Sequence, residues 1–392
     1  MKTYDWIVVG AGLAGSALSY ELAKVGFSVL LLDQFAAPQN ATRYSYGGIA
    51  YWSGTTELTQ QICQEGIELH RTLSAELDGD TRFRELDLLL TVAPDRDPTQ
   101  VAAVYANCAI PPTILSSDAA CEIEPLLERG AIAAALHLPH GHISPEAVIN
   151  AYQQAFLRLG GTIQLGQVTR FIKSRRQVNG VVTQVASYES GNVAICAGGM
   201  CRALLKTVDL PVRHYFTQAE LVEARSTEVQ MRSMVMPAEL QRFKMEANAG
   251  RVETDALWDE PGHEITPPIL DVGVVQFQDG TLRMGQISRT LTDPNAPVEA
   301  AQSEQAIRNE VGHVLPALKN LSGEWYCCLV AFSGDRLPLI GSLPNTEGIH
   351  LFSGFSNPFA ILPPLARRFA HHISGQPDAT IQQLSPNRFS QT

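Results

Sequence analysis

The sequence predicts a mixed α/β chain in two parts. One part is built on a parallel sheet. The other is an α+β unit with a large, mainly antiparallel sheet. Three observations carry this. Residues 4–33 read strand, glycine-rich turn, helix, strand. A second helix-and-strand unit opens at Gly141 and closes on the apolar run Val193–Cys196. Between Pro211 and Trp325 alternating strand patterns dominate and helix signals are few. At 392 residues the chain is long enough for two domains with sizeable cores.

The opening stretch is YDWIVVGAGLAGSALSYELAKVGFSVLLLD. Ile7, Val8 and Val9 form a short β-branched run expected to be a buried strand. Gly10, Gly12 and Gly15 follow at G-x-G-x-x-G spacing, and Leu18, Leu22 and Val25 then set a helical period ending near Gly26. Val29–Leu32 make the next strand, closed by Asp33. Gly10 permits the tight turn, Gly12 lets backbone approach a pyrophosphate, and Gly15 lets helix and strand pack closely. Leu13 and Ala14 sit at the helix N-terminus, where free N–H groups and the helix dipole favour phosphate. Asp33, with Gln34 beside it, is placed to accept a ribose hydroxyl. The strand–turn–helix context is the one a dinucleotide fingerprint requires. The motif does not separate FAD from NAD, but an acidic strand end argues against NADP.

The loop NATRYSYGGIAYW, residues 40–52, reads either as a surface loop or as a loop wrapping the cofactor. Glu57–Leu77 is helical, with Leu58, Ile62, Leu69 and Leu73 on one face. Ser144 and Pro145 open a helix that runs to Gly160. Asn179-Gly180 between apolar runs predicts a type I′ hairpin turn. Asp279-Gly280 predicts a turn between two alternating strands within Asp271–Ser288. A helix is expected over Ser303–Val311. Strands are expected at Trp325–Phe332 and Ile349–Phe352, with a last helix reaching Ile373.

Charged residues are 18% of the chain and the net charge is −11, so no basic footprint for nucleic acid is present. No run of about 20 apolar residues suggests a membrane span. The first strand begins at once, without a basic and apolar leader, and the expectation is a cytoplasmic protein. Seven scattered cysteines, with no C-x-x-C, indicate neither a disulfide framework nor a zinc site.

Four stretches, in order, resemble the D-amino-acid oxidase superfamily of FAD-dependent enzymes, which includes glycine oxidase and monomeric sarcosine oxidase. They are GAGLAG, GHISPEAVINAY, VAICAGGMCRALL, and GDRLPLIG followed by LFSGFSNP. The resemblance implies an FAD-binding domain of the glutathione-reductase type, assembled from 1–80, 141–210 and 326–392, with 81–140 and 211–325 as the substrate domain. It implies FAD, an amine or amino-acid substrate, hydride transfer to the flavin, and reoxidation by O2 to give H2O2. A dehydrogenase passing electrons to a quinone or other carrier, and a non-catalytic flavoprotein module, are the alternatives.

By the same resemblance the cofactor is expected along Thr42, Arg43, Ser45, Gly47 and Gly48, at Val168, at Ala197 and Gly198, and at Gly354, Phe355, Ser356 and Asn357. Cys328, seven residues before Asp335, matches the cysteine that links covalently to the flavin in the sarcosine oxidase branch. Arg283 falls where that branch has a lysine assisting oxygen. A guanidinium there would keep its charge at any working pH. His214 and Tyr215 begin the crossing into the substrate domain and are candidates to face the flavin. His140 and His142 flank a turn and read as structural. The chain departs from the family in two respects: CCLVAFSGDRLPLIG lacks the usual carboxylate-binding arginine ahead of its loop, and Pro358 and Phe359 stand where a second glycine usually follows the GFS-like turn.

Overall fold

The computed structural model describes residues 3–37, 39–225, 228–239 and 241–391. Its first sheet has the order Leu339–Ser342, Ile349–Ser353, Ser187–Ile195, Thr3–Val9, Val29–Asp33, Thr162–Leu165. All neighbours on that path are parallel except the first pair. A parallel sheet must be covered on both faces, and the alternation of side chains shows how. Val8 and Leu31 point into one core, against the helices Leu13–Lys24, Glu57–Glu76, Pro145–Arg158 and Pro358–Ile373. Ile7, Val9, Leu30 and Leu32 point into another, with Cys201 and Leu205. Helix Glu57–Glu76 meets Pro358–Ile373 backbone to backbone: a Cβ on Gly66 would lie 1.7 Å from the Ala360 carbonyl oxygen.

The second sheet runs Gly323–Ser333, His214–Arg225, Thr281–Arg289, Ile269–Gln276, Met234–Pro237, Arg84–Val92, Ala134–His142, Gly48–Ile49. It is mainly antiparallel, with Met234–Pro237 and Arg84–Val92 a parallel pair. The Asp279-Gly280 turn closes its central hairpin, as the sequence predicts. The two short loop residues Gly48 and Ile49 join this sheet, so the loop after the first βαβ unit bridges both sheets.

Three expectations are corrected. Asn179-Gly180 is not a hairpin turn: it lies inside strand Gln177–Thr183, and the chain turns at Arg175 and Arg176. Gly180 serves close strand approach instead, since a Cβ there would lie 2.1 Å from the Tyr188 carbonyl oxygen. The last FAD-domain segment was expected from 326, but the strand pairs with His214–Arg225 as far as Ser333, within the second sheet. The stretch 211–325 also holds a helix the pattern did not predict, Arg242–Ala249. The Asp271 carboxylate, reaching across from its strand, accepts from the backbone N–H groups of Gln241 and Arg242, both at 3.2 Å. Among the described residues, no helix is long and apolar enough to cross a membrane.

Burial holds five histidines neutral. Desolvation pushes His70 and His350 down to about 4 and His140, His142 and His214 to about 3. The unfolded value is about 6.5. Between those values the unfolded chain binds more protons, so stability falls as pH drops below about 6.5. The thermal midpoint should therefore decline between about pH 7.5 and 5.5, before most carboxylates titrate. A flat midpoint across that range would show that these rings are not desolvated in the folded protein.

Candidate active site

A single cleft of about 2670 Å³ is lined by elements of both sheets. Its first half is the glycine turn. Gly10 has φ +104°, and a Cβ there would lie 2.6 Å from the Cys196 carbonyl oxygen. At Gly15 a Cβ would come within 1.7 Å of the Gly10 carbonyl oxygen, so this glycine sits under the turn and does not line the cleft. Gly12 differs. A Cβ there meets nothing closer than Thr42 Oγ1 at 3.4 Å, so the approach from the cleft is open. Helix Leu13–Lys24 begins at Gly12 with no side-chain cap. The Leu13 N–H donates to Thr42 Oγ1 at 3.2 Å. Asp33 lines the cleft and accepts from the Ala11 N–H at 2.6 Å and the Phe35 N–H at 3.0 Å.

A second uncapped helix N-terminus, at Asn357-Pro358, also reaches the cleft. Asn357 is fixed by donating from Nδ2 to the Ala50 carbonyl at 3.1 Å and to Ser53 Oγ at 3.2 Å. The lining includes Leu13, Ala14, Gln34, Thr42, Ser45 and Gly48. It also includes Val168, Ala197, Gly198, Gly354, Phe355 and Ser356. Sequence reasoning therefore brought together residues from four distant segments that the fold places on one surface.

The remaining candidates fall elsewhere. Arg43 and Arg283 are outside the cleft, in a small polar pocket with Glu146 and Glu223. Arg283 is 3% exposed. Its Nε donates to Glu223 at 3.0 Å, and its Nη1 donates to the Ser45 carbonyl. Arg43 makes a fork to the same Glu223 at 2.8 and 3.0 Å and pairs with Glu146. Gly47 is turned to Ile143, whose carbonyl oxygen would be 2.1 Å from a Cβ. His214 lies behind the cleft wall, with Nε2 2.9 Å from Ser353 Oγ. Tyr215 is buried among Phe216, Trp258 and Phe332, and its hydroxyl donates to Asp255 at 2.7 Å. Neither His214 nor Tyr215 lines the cleft, because the first turn of their strand packs into the core beneath it.

Cys328 does line it, opposite Ala219 on the neighbouring strand. Burial pushes its thiol up to about 12. Cations that the sequence pattern did not pick out also line the cleft: Arg96, paired with Glu239, Arg242 and Lys244 on the unpredicted helix, and Arg336 in the GDRLPLIG loop. The Arg336 guanidinium lies 4.1 Å from the Phe243 ring centroid. Leu88, Leu90, Met234 and Met236, on two paired strands, give the lining an apolar stretch.

A family model described as FAD dependent oxidoreductase matches residues 5–372. The chain belongs to this family. It is 22% identical over 402 residues to an uncharacterized oxidoreductase of Bacillus subtilis (strain 168), covering 98% of each chain. To a glycine oxidase of Bacillus licheniformis it is 21% identical over 387 residues, covering 97% of this chain and 95% of the relative. The solved glycine oxidase of Geobacillus kaustophilus has the same fold, with a TM-score of 0.79 at 17% identity and 99% coverage of each chain.

The residues present fit the family's FAD. The open approach at Gly12, the uncapped N-termini and the acceptor Asp33 suit a pyrophosphate and a ribose. Gly12→Val should give folded, colourless protein. A variant with full flavin content would refute the placement of the pyrophosphate. The raised Cys328 thiol is poorly suited to attack as thiolate. On acid precipitation the colour should therefore pass to the supernatant, whereas a yellow pellet would establish a covalent link.

Proposed function

We propose that this FAD-dependent enzyme oxidises the CH–NH bond of an amine that carries a carboxylate and an apolar side chain, giving an imine, with O2 as final acceptor and H2O2 as product. The observation that carries the reading is the make-up of the far half of the cleft. Arg242 and Arg336 both line the cleft; Arg242 Nε is 3.4 Å from Glu246 Oε1 on its own helix, and no acidic residue is bonded to Arg336 among the described residues. When bound, FAD supplies the hydride acceptor and the route for electrons to oxygen.

The chain's own residues would do the rest. Arg242 and Arg336 would seat the carboxylate, since a guanidinium fork matches its two oxygens. Leu88, Leu90, Met234 and Met236 would take the apolar group and exclude water. A substrate that binds as the neutral amine needs no further base. The names of relatives support this chemistry: glycine oxidase, peroxisomal sarcosine oxidase of mouse, and a solved iminodiacetate oxidase.

One observation favours a second reading. Arg283 spends its charge on Glu223 and the Ser45 carbonyl, outside the cleft. It is therefore not a free cation for oxygen, and electron transfer to a quinone or carrier remains open to the same site.

Anaerobic mixing of the yellow protein with amino acids bearing apolar side chains should bleach the flavin, and aerobic turnover should yield one peroxide per substrate. Bleaching without peroxide selects the dehydrogenase. Arg242→Ala should cost about 1.5–3 kcal/mol of binding to the carboxylate, a rise in KM of about 10- to 100-fold. Amines without a carboxylate should be unaffected. Equal losses for both substrate types would remove Arg242 from carboxylate recognition.

A further inference from the structure

The strand Ala134–His142 alternates, so His140 shares a face with Leu136 and Leu138 and lies opposite Leu86. Leu136 and Leu138 surround it with apolar surface, and His140 is 3% exposed. Its Nδ1 accepts from the Trp52 indole Nε1–H at 3.1 Å. An indole nitrogen can only donate, so in the neutral ring the proton must sit on Nε2. Burial keeps the ring neutral by pushing its pKa down to about 3.

Nε2 is buried and has no hydrogen-bond partner among the described residues. A donor left in that state costs about 1–3 kcal/mol. What faces it is the cleft floor: a Cβ on Gly48 would stand 2.7 Å from Nε2, and Gly48, Trp52, Met234 and His140 all line the cleft. A side chain at Gly48 would fill the space beside Nε2. His142, two residues on, also has an unpartnered Nε2, but it lies in the polar pocket beside Arg84 and not on the cleft.

We propose that His140, held in the Nε2–H tautomer by Trp52, is a fixed neutral hydrogen-bond donor to the ligand in the cleft, and that its acceptor is an sp² oxygen. This rests on the FAD-dependent amine-oxidation reading. Two oxygens share that chemistry: a carboxylate oxygen of the substrate, and a carbonyl oxygen of the flavin ring. A neutral donor on an apolar wall orients such an oxygen without adding a charge there. Trp52 acts through the imidazole and is a positioning residue.

The test uses the FAD-loaded enzyme and isocaproate, a non-reacting carboxylate with a branched apolar tail, whose binding is followed by flavin absorption. His140→Phe removes the donor, His140→Gln restores one, and Trp52→Phe frees the tautomer while leaving the imidazole in place. If the acceptor is the carboxylate, His140→Phe should weaken isocaproate about tenfold with an unchanged flavin spectrum and reduction potential. If it is the flavin, the spectrum and potential of the ligand-free enzyme should shift. In either case Gln should recover most of the change, and Trp52→Phe should move the same readout in the same direction by less. Stoichiometric FAD with neither readout moved in His140→Phe or Trp52→Phe would overturn the proposal and leave His140 a core residue with a buried water. A parent protein without FAD would instead overturn the reading on which it rests.

Discussion

The backbone contact among Gly10, Gly15 and Cys196 governs the architecture. The turn after the first strand passes so close to the end of strand Ser187–Ile195 that no side chain fits at Gly10, and the first helix lies so close to the turn that none fits at Gly15. This proximity aims the helix N-terminus along the strand ends, where its N-cap glycine supplies no side-chain cap and the Leu13 N–H is taken by Thr42 Oγ1. A larger residue at either glycine would lift the helix from the sheet and remove the anion site. The cleft exists because the second sheet then closes over those same strand ends.

The loop 40–52 joins the two halves, and charge holds it there. Glu223 on the second sheet takes Arg43 from the loop and Arg283 from the neighbouring strand, while Arg283 also bonds the loop backbone at Ser45. Burial pulls the Arg283 guanidinium down, and the Glu223 carboxylate counters that by supplying charge and a hydrogen bond. In turn the two guanidinium groups hold Glu223 below its ordinary range against its own desolvation. Removing Glu223 would leave the buried Arg283 guanidinium without its carboxylate, at a cost of about 3–5 kcal/mol. These cations are thus part of the frame, and the ones left to face the cleft come from other segments.

Arg242, Arg336 and the His140 donor stand out against leucine and methionine side chains. Each is held by something specific: the helix of Arg242 by the Asp271 carboxylate, Arg336 against the Phe243 ring, His140 by the Trp52 indole. Fixed groups on an apolar surface act at low local dielectric, where one hydrogen bond discriminates more strongly than it does in water.

The glycine turn, Asp33, the Ser144-capped helix and the Asp279-Gly280 hairpin were legible in the sequence. Each is a local demand: a φ, a cap or an alternation that the residue types themselves enforce. The resemblance in four ordered motifs also carried the fold and FAD. Arg242 was not legible, because its short helix depends on an acceptor 29 residues away at Asp271. Nor was the fate of Arg283: its strand position was apparent, but Glu223 across the sheet and Ser45 in the loop decide where its charge goes. Asn179-Gly180 misled for a related reason, since a glycine that permits a turn equally permits a neighbouring strand to come close. The sequence by itself determined which backbone conformations the chain can take. Only the tertiary structure decided which polar atoms find partners, because those partners lie on segments far apart in the chain.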